Sequence, residues 1–286
     1  MASVIHELKY SNTNTYLIEG SRGRLLFDTG WAGTFAQFCK CLGELDISVQ
    51  SIDHILISHF HPDHMGIAQE IADMGAVITV VDVQRDFIHS SDHILAKEPR
   101  LGFRPIEDDK VRVISITDSR DFLAELGLDG ELIHTPGHSD DSISLWLDDG
   151  SLFVGDLNPL YELEAHKDSE TGKSWEKLLS LTPAVVYYGH ARTAYPDQTG
   201  WKKDNRRSDF IHALLRIEPK KDESKEAIYR LVQQIMHLID KGAPLDRIQS
   251  KTGADATFIE DVARMYLTHR NVGVQGILDR IEIKGR

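Results

Sequence analysis

The sequence predicts an α/β domain followed by a helical unit, on three observations. Short apolar runs of strand type alternate with short helical stretches up to about residue 195. A polar connector, YPDQTGWKKDNRRSDF, begins at Tyr195. Beyond it, apolar residues recur at helical intervals. Many strands with interspersed helices favour packed layers over a bundle or a sandwich. The two units are expected at residues 1–200 and 201–286.

Taken in order, TYLIEG and RLLFDTG read as a hairpin around the turn Ser21, Arg22, Gly23. HILISH, AVITVV, VRVISI, ELIHT, SISLWL, SLFVGD and AVVYYGH follow as strands, because each is a short β-branched or apolar run. Helices are predicted from Thr34 to Glu44, His64 to Asp73 and Ser174 to Leu181. In the second unit one helical stripe comprises Ile228, Leu231, Val232, Ile235 and Ile239. Another runs through Ile259, Val262, Tyr266 and Leu267, preceded by KTGADAT. No internal repeat or low-complexity tract interrupts this order.

The 286 residues are 41% hydrophobic and 27% charged, as in ordinary globular proteins. Against 45 acidic residues stand 32 basic ones, a formal charge of -13 that repels polyphosphate and disfavours nucleic-acid binding. Cys39 and Cys41 lie two apart in a predicted helix, pointing to different sides, so neither a disulfide nor a shared metal is expected. That usage suggests an intracellular, cytoplasmic chain. No basic leader with an apolar core and no run of about 18 apolar residues occurs, so neither export nor a membrane span is expected.

The chemistry concentrates in SHFHPDHMG, Ser58 to Gly66, directly after the apolar Ile55, Leu56 and Ile57. Histidine nitrogens and carboxylate oxygens suit zinc and related divalent ions. His59 and His61, two apart on an extended segment, face the same way and can share one ion. Asp63 and His64 lie where the chain turns into a helix opened by Pro62, and they face a neighbouring position. Three partners end later strands, each just after a glycine: His138 in ELIHTPGHSDD, Asp156 in SLFVGDLN and His190 in AVVYYGHA.

With LLFDTG, HFHPDH, HTPGH, GD and GH in that order over residues 1 to about 195, the chain resembles metallo-β-lactamase-fold metallohydrolases. The resemblance implies a four-layer αββα fold with metals at the sheet edges. It implies one ion held by His59, His61 and His138, a second held by Asp63, His64 and His190, and Asp156 bridging them. Asp28 matches an early aspartate that orients ligands without binding the ion. Two divalent ions keep such a site cationic, and a water or hydroxide between them would have its pKa lowered toward about 7. Asp63 would orient that nucleophile and take its proton. Zinc comes first as the cofactor, with iron or manganese accepted by the same donors.

Other residues carry weaker signals. His134 and Tyr187 read as structural, while His166, Tyr188 and Tyr195 are candidates for touching substrate. PLDRIQSKTGADATFIEDVARMYL resembles a helix-turn-helix, but Asp255, Glu260 and Asp261 against the single Arg264 oppose phosphate contact. A cap over the site or subunit pairing is the favoured role, and the apolar helical faces favour a homodimer.

The fold hosts many chemistries, so the reaction is argued from the site. Asp156 stands where the best-known zinc β-lactamases carry cysteine, and the short stretch before His190 leaves no room for the inserted domain of related nucleases. The pattern is most similar to glyoxalase II-like thioesterases and lactonases. It implies a dinuclear hydrolase of a small ester, thioester or lactone acting through a metal-bridged hydroxide. The alternatives are phosphodiester hydrolysis, a mononuclear iron enzyme resembling sulfur dioxygenases, and a metal-site regulator with a nucleic-acid-binding helical tail.

Overall fold

In the computed structural model the first six strands pair in sequence order into one sheet: β1 (Val4–Leu8), β2 (Thr15–Glu19), β3 (Arg24–Phe27), β4 (His54–Leu56), β5 (Val77–Val81) and β6 (Val111–Ile114). The pairs β1–β2 and β2–β3 are antiparallel, and the remaining ones are parallel. A second, four-stranded sheet has the order β10 (Val185–Tyr187), β9 (Ser151–Phe153), β8 (Ile143–Leu147), β7 (Gly130–His134). The structure describes residues 3–160, 163–166, 168–196, 221–241 and 243–254, with 256, 258, 259, 262, 263 and 266. Two units are distinct, Met1–Gly200 and Trp201–Arg286.

Alternation along the strands sorts side chains between layers. Leu17, Leu26, Ile55, Ile78 and Val80 face one core, shared with Phe38 and Leu42 of α1 (Phe35–Gly43) and Ile71 of α3 (Ala68–Ala72). Their neighbours Tyr16, Ile18, Leu25, Phe27, Leu56 and Val81 face the opposite way and meet Leu132, Ile143, Leu145 and Phe153 of the second sheet. The far side of that sheet, with Trp146 and Leu152, packs on Trp175 and Leu178 of α7 (Glu170–Leu179). These are the layers α, β, β, α.

The hairpin forms as expected, closed by the Gly20 N–H on the Gly23 carbonyl at 2.9 Å. The helix expected from His64 to Asp73 is two, α2 (Pro62–Met65) and α3, broken at Gly66 and Ile67. Gly66 is pressed on the loop after β3: a Cβ there would lie 2.0 Å from the Ala32 nitrogen. Helix α7 starts at Glu170 rather than Ser174, because Ser169 Oγ accepts the Gly172 N–H at 3.4 Å. Strand β1 and the short helices α4 (Asp92–Leu95), α5 (Ser119–Glu125) and α6 (Leu163–His166) carry no apolar period of their own that marks them in the sequence.

The second unit contains α8 (Lys221–Asp240) and α9 (Leu245–Thr252), the latter ended by Gly253 at φ 67. Val232, Ile235 and Leu238 of α8 pack with Ile248, Phe258, Ile259 and Val262. Asp255, Glu260, Asp261, Arg264 and Leu267 lie outside the described residues, and with them the acidic face expected of a second helix. Among the described residues no helix is long and apolar enough to cross a membrane.

Candidate metal centre

Parallel strands end together, so the loops after them share one rim. Asp28 follows β3, residues 58 to 64 follow β4, His138 lies between β7 and β8, Asp156 follows β9 and His190 follows β10. The structure brings all seven of the sequence-identified His and Asp donors together in two groups. His59, His61 and His138 form one, Asp63, His64, Asp156 and His190 the other, and within each group one donor atom per residue lies within 4.8 Å of the rest.

In the first group His61 Nδ1 is 2.9 Å from His59 Nε2 and 3.1 Å from His138 Nε2. In the second, His190 Nε2 is 2.8 Å from Asp63 Oδ2, and His64 Nε2 is 3.2 Å from Asp156 Oδ1. Asp156 faces both groups: Oδ1 is also 3.5 Å from His190 Nε2, while Oδ2 is 3.5 Å from His138 Nε2.

The remaining nitrogens decide which lone pairs are free. His64 Nδ1 donates to Asp28 Oδ2 at 2.9 Å, since a carboxylate only accepts. The same oxygen takes the Ser58 hydroxyl at 2.9 Å, which leaves Ser58 Oγ to accept the His59 Nδ1–H at 3.1 Å; Oγ also lies 3.3 Å from His64 Nδ1. His190 Nδ1 donates to the Asn12 carbonyl at 2.9 Å. In the neutral rings, therefore, the Nε2 atoms of His59, His64 and His190 carry lone pairs. Two of them point at carboxylate oxygens, and His64 Nε2 and Asp156 Oδ1 are buried without an aligned hydrogen bond. One hydrogen on His61 Nδ1 cannot serve both of its neighbours. A cation in each group satisfies all these atoms, so the donors present fit divalent metal ions.

The electrostatics agree. Burial pushes His59 well below the usual imidazole range, helped by His64, and burial likewise lowers His138. Burial acts the same way on His64, but the Asp156 and Asp28 carboxylates outweigh it and hold that imidazole well above its ordinary value. His190 is raised against burial by its bond to Asp63. Burial would raise Asp156 and Asp63, yet the facing imidazoles hold Asp156 well below the carboxylate range and lower Asp63. The second group calls for positive charge, and the first offers neutral nitrogen donors.

Glycines make the approach feasible. At Gly189 a Cβ would fall 2.7 Å from Asp156 Oδ1, and at Gly155, φ 53, it would fall 2.5 Å from Ser58 Oγ. Loops behind the donors hold them in place. Thr13 Oγ1 donates to the Asp63 carbonyl at 2.8 Å, and the Thr29 N–H and hydroxyl donate to the His64 carbonyl at 2.7 and 3.0 Å.

Tyr188 is 2% exposed, packs with Trp175 and accepts the Leu160 N–H on its hydroxyl. Tyr195 is 45% exposed and His166 is half-buried at the end of α6. His134 braces the His138 loop by donating from Nε2 to the Asp140 carbonyl at 2.7 Å. Ser58, Asn12, Thr13 and Thr29 support the site and carry no role in the sequence reading; the polar run YSNTNTY between two strands was the available signal for Asn12 and Thr13, and the motifs SHFHPDHMG and LLFDTG for Ser58 and Thr29.

Residues 9–190 match the family profile of the metallo-beta-lactamase superfamily. The beta-lactamase-like protein 2 homolog of Drosophila melanogaster is 31% identical over 180 residues, 62% of this chain and 58% of that protein. The atrochrysone carboxyl ACP thioesterase of Claviceps purpurea is 31% identical over 225 residues, 75% of this chain and 64% of that one. The chain thus spans less than two thirds of the length of either relative. A solved archaeal metallo-beta-lactamase superfamily protein from Sulfolobus tokodaii shares the fold at 20% identity and a TM-score of 0.50, over 77% of this chain and 88% of that one. With its ordered motifs, its α, β, β, α layers and a family match from Lys9 to His190, this chain belongs to the metallo-beta-lactamase superfamily.

Proposed function

We propose that the chain is a hydrolase of ester, thioester or lactone bonds in small substrates, working with two divalent cations, zinc first. His59, His61 and His138 would hold one, Asp63, His64 and His190 the other, with Asp156 shared. The observation that carries this reading is the position of Asp156, with Oδ2 toward His138 and Oδ1 toward His64 and His190. When bound, such a pair lowers the pKa of a water toward about 7 and polarises a carbonyl.

The chain's own residues do the rest. Asp63 Oδ2, beside His190, is placed to accept the proton of the attacking water as its oxygen bonds to the acyl carbon. That proton then passes to the departing thiolate or alkoxide. Asp28 and Ser58 keep the His64 and His59 lone pairs aimed inward. A thioester is favoured by the relative named as an acyl-carrier thioesterase.

Elemental analysis of the native protein, with a panel of aryl thioesters, aryl esters, lactones and bis-aryl phosphodiesters, tests the proposal. About two metal equivalents and chelator-sensitive acyl hydrolysis are expected. Full activity in metal-free protein overturns it, and faster cleavage of the phosphodiester than of any acyl substrate reassigns the reaction.

A further inference from the structure

Phe60 stands between His59 and His61, so whatever holds its two peptide groups sets how both imidazoles are presented. The Phe60 N–H donates to Asp141 Oδ2 at 2.7 Å, and the Phe60 carbonyl accepts the Ser91 hydroxyl at 2.5 Å. Asp141 and Ser91 are both buried. Asp141 comes from the loop that also supplies His138, and it is braced there. The Ser139 hydroxyl donates to its other oxygen, and the Gln84 side-chain amide donates to its carbonyl at 3.0 Å.

The same Gln84 amide reaches the carbonyls of Ile57 at 2.9 Å and Ser58 at 3.3 Å. The Ile143 N–H donates to Ser58 O at 2.8 Å. The end of β4 in one sheet and the β7–β8 loop in the other are therefore tied by buried polar contacts that use no ligand nitrogen. Burying a carboxylate costs free energy, and a neutral amide could accept the Phe60 N–H as well. The three-histidine group, however, has only Asp156 for a carboxylate and shares it with the other group, so a carboxylate one peptide away also offsets a divalent charge.

We propose that Asp141 is a positioning residue for the three-histidine group: it holds the Phe60 N–H so that His59 Nε2 and His61 Nδ1 converge with His138 Nε2 on one cation. This rests on the reading of that group as a cation site. The second group is held by different contacts, from Asp28, Asn12, Thr13 and Thr29. Loss of Asp141 therefore acts on one of two cations.

Zinc binding to the full chain, followed by competition with a chromogenic chelator, separates the two steps, and His138→Ala marks the step of the three-histidine group. The visible spectrum of the cobalt-loaded protein reports the geometry of each site. Asp141→Asn keeps an acceptor but loses the charge, and a charge-assisted bond is about twice as strong as a neutral one, so a loss of roughly three- to fivefold is expected at that step. Asp141→Ala removes the acceptor and should cost about 10- to 100-fold there, with an altered cobalt spectrum and the other step within about twofold of wild type. If Asp141→Ala does not fold, Asp141→Asn decides alone. Should wild type bind no zinc, the two-cation reading falls and this role with it. Should wild type take two zinc ions while Asp141→Asn leaves both steps unchanged, or weakens both equally, the role of Asp141 is overturned and the two-cation reading stands.

Discussion

His64 donates its Nδ1–H to Asp28 Oδ2 at 2.9 Å, and Asp28 presents that oxygen from a left-handed backbone, φ 64. The Ser58 N–H donates to the other carboxylate oxygen at 2.7 Å. One buried carboxylate thus directs a donor of each group, His64 directly and His59 through the Ser58 hydroxyl. Its unusual backbone is held by what it binds.

Asp28→Asn separates these two roles, because asparagine tolerates a left-handed backbone while its amide cannot accept both donors at one charged oxygen. The variant should fold and lose about 10- to 100-fold in zinc affinity. Asp28→Ala should lose as much affinity and also about 1–2 kcal/mol of stability from the backbone. Chelator competition and thermal melts of the metal-free proteins measure the two effects. Undiminished zinc binding in Asp28→Asn contradicts the orienting role.

Gly189→Ala places a methyl group 2.7 Å from Asp156 Oδ1 and 2.9 Å from His64 Cε1, at a residue whose φ is not positive. The backbone accepts alanine, but the methyl must displace two buried side chains, so the metal-free protein should fold and lose about 1–3 kcal/mol of stability. The displaced donors should cost at least about tenfold in affinity for the second cation and in turnover. Wild-type turnover in this variant would show that Asp156 and His64 do not act as donors.

The pH dependence of the metal-free protein has a definite sign. His64 and His190 are raised, so their contribution to stability is present below the unfolded value of about 6.5 and is lost as pH rises through their folded values. His59 and His138 are lowered, so theirs is lost as pH falls below about 6.5. Asp63 and Asp156 are lowered, so theirs is present above about 4 and fades as pH falls through their folded values. Thermal melts in chelator should peak at about pH 6.5 and decline on the alkaline side. Zinc should abolish that alkaline decline, because the cation replaces the imidazolium charge. An alkaline decline of equal size with zinc present would count against this.

Phe153 lies between the sheets, stacked on Tyr187 at 4.7 Å and edge-on to Tyr16 at 5.2 Å, just before the turn that carries Asp156. Phe153→Leu should cost about 1–3 kcal/mol of stability in chemical denaturation. Zinc stoichiometry should be unchanged, because the contact supports the layers and not the donors. Loss of one zinc equivalent would instead tie the aromatic stack to the position of Asp156.

Much of the fold was readable because burial imposes a period. From TYLIEG to AVVYYGH each strand announced itself as a short apolar run, while the four layers were implied by the family resemblance, since strands such as ISLWL are buried on both faces and show no alternation to read. Strand β1 was missed because VIHEL is an edge strand whose Val4 is exposed, so no inward run marks it. The break at Gly66 was missed because apolar residues continue at helical spacing through it, while its cause is the distant backbone of Ala32. Tyr188 was equivocal for a related reason: whether a tyrosine packs or meets a ligand depends on where its hydroxyl ends, here at the Leu160 N–H.

Seven candidate donors and their order are legible in the sequence, because metal ligation demands particular atom types and a strand end presents alternate residues to one side, whereas their division between two ions rests on the family resemblance. Folding alone fixed which nitrogen is free in His59, His64 and His190. That depends on the partner of the other nitrogen, and Asp28, Ser58 and the Asn12 carbonyl come from segments brought near by folding. It alone also placed Asp141 behind Phe60, since a side chain bonded to a distant backbone N–H leaves no spacing or periodicity to read.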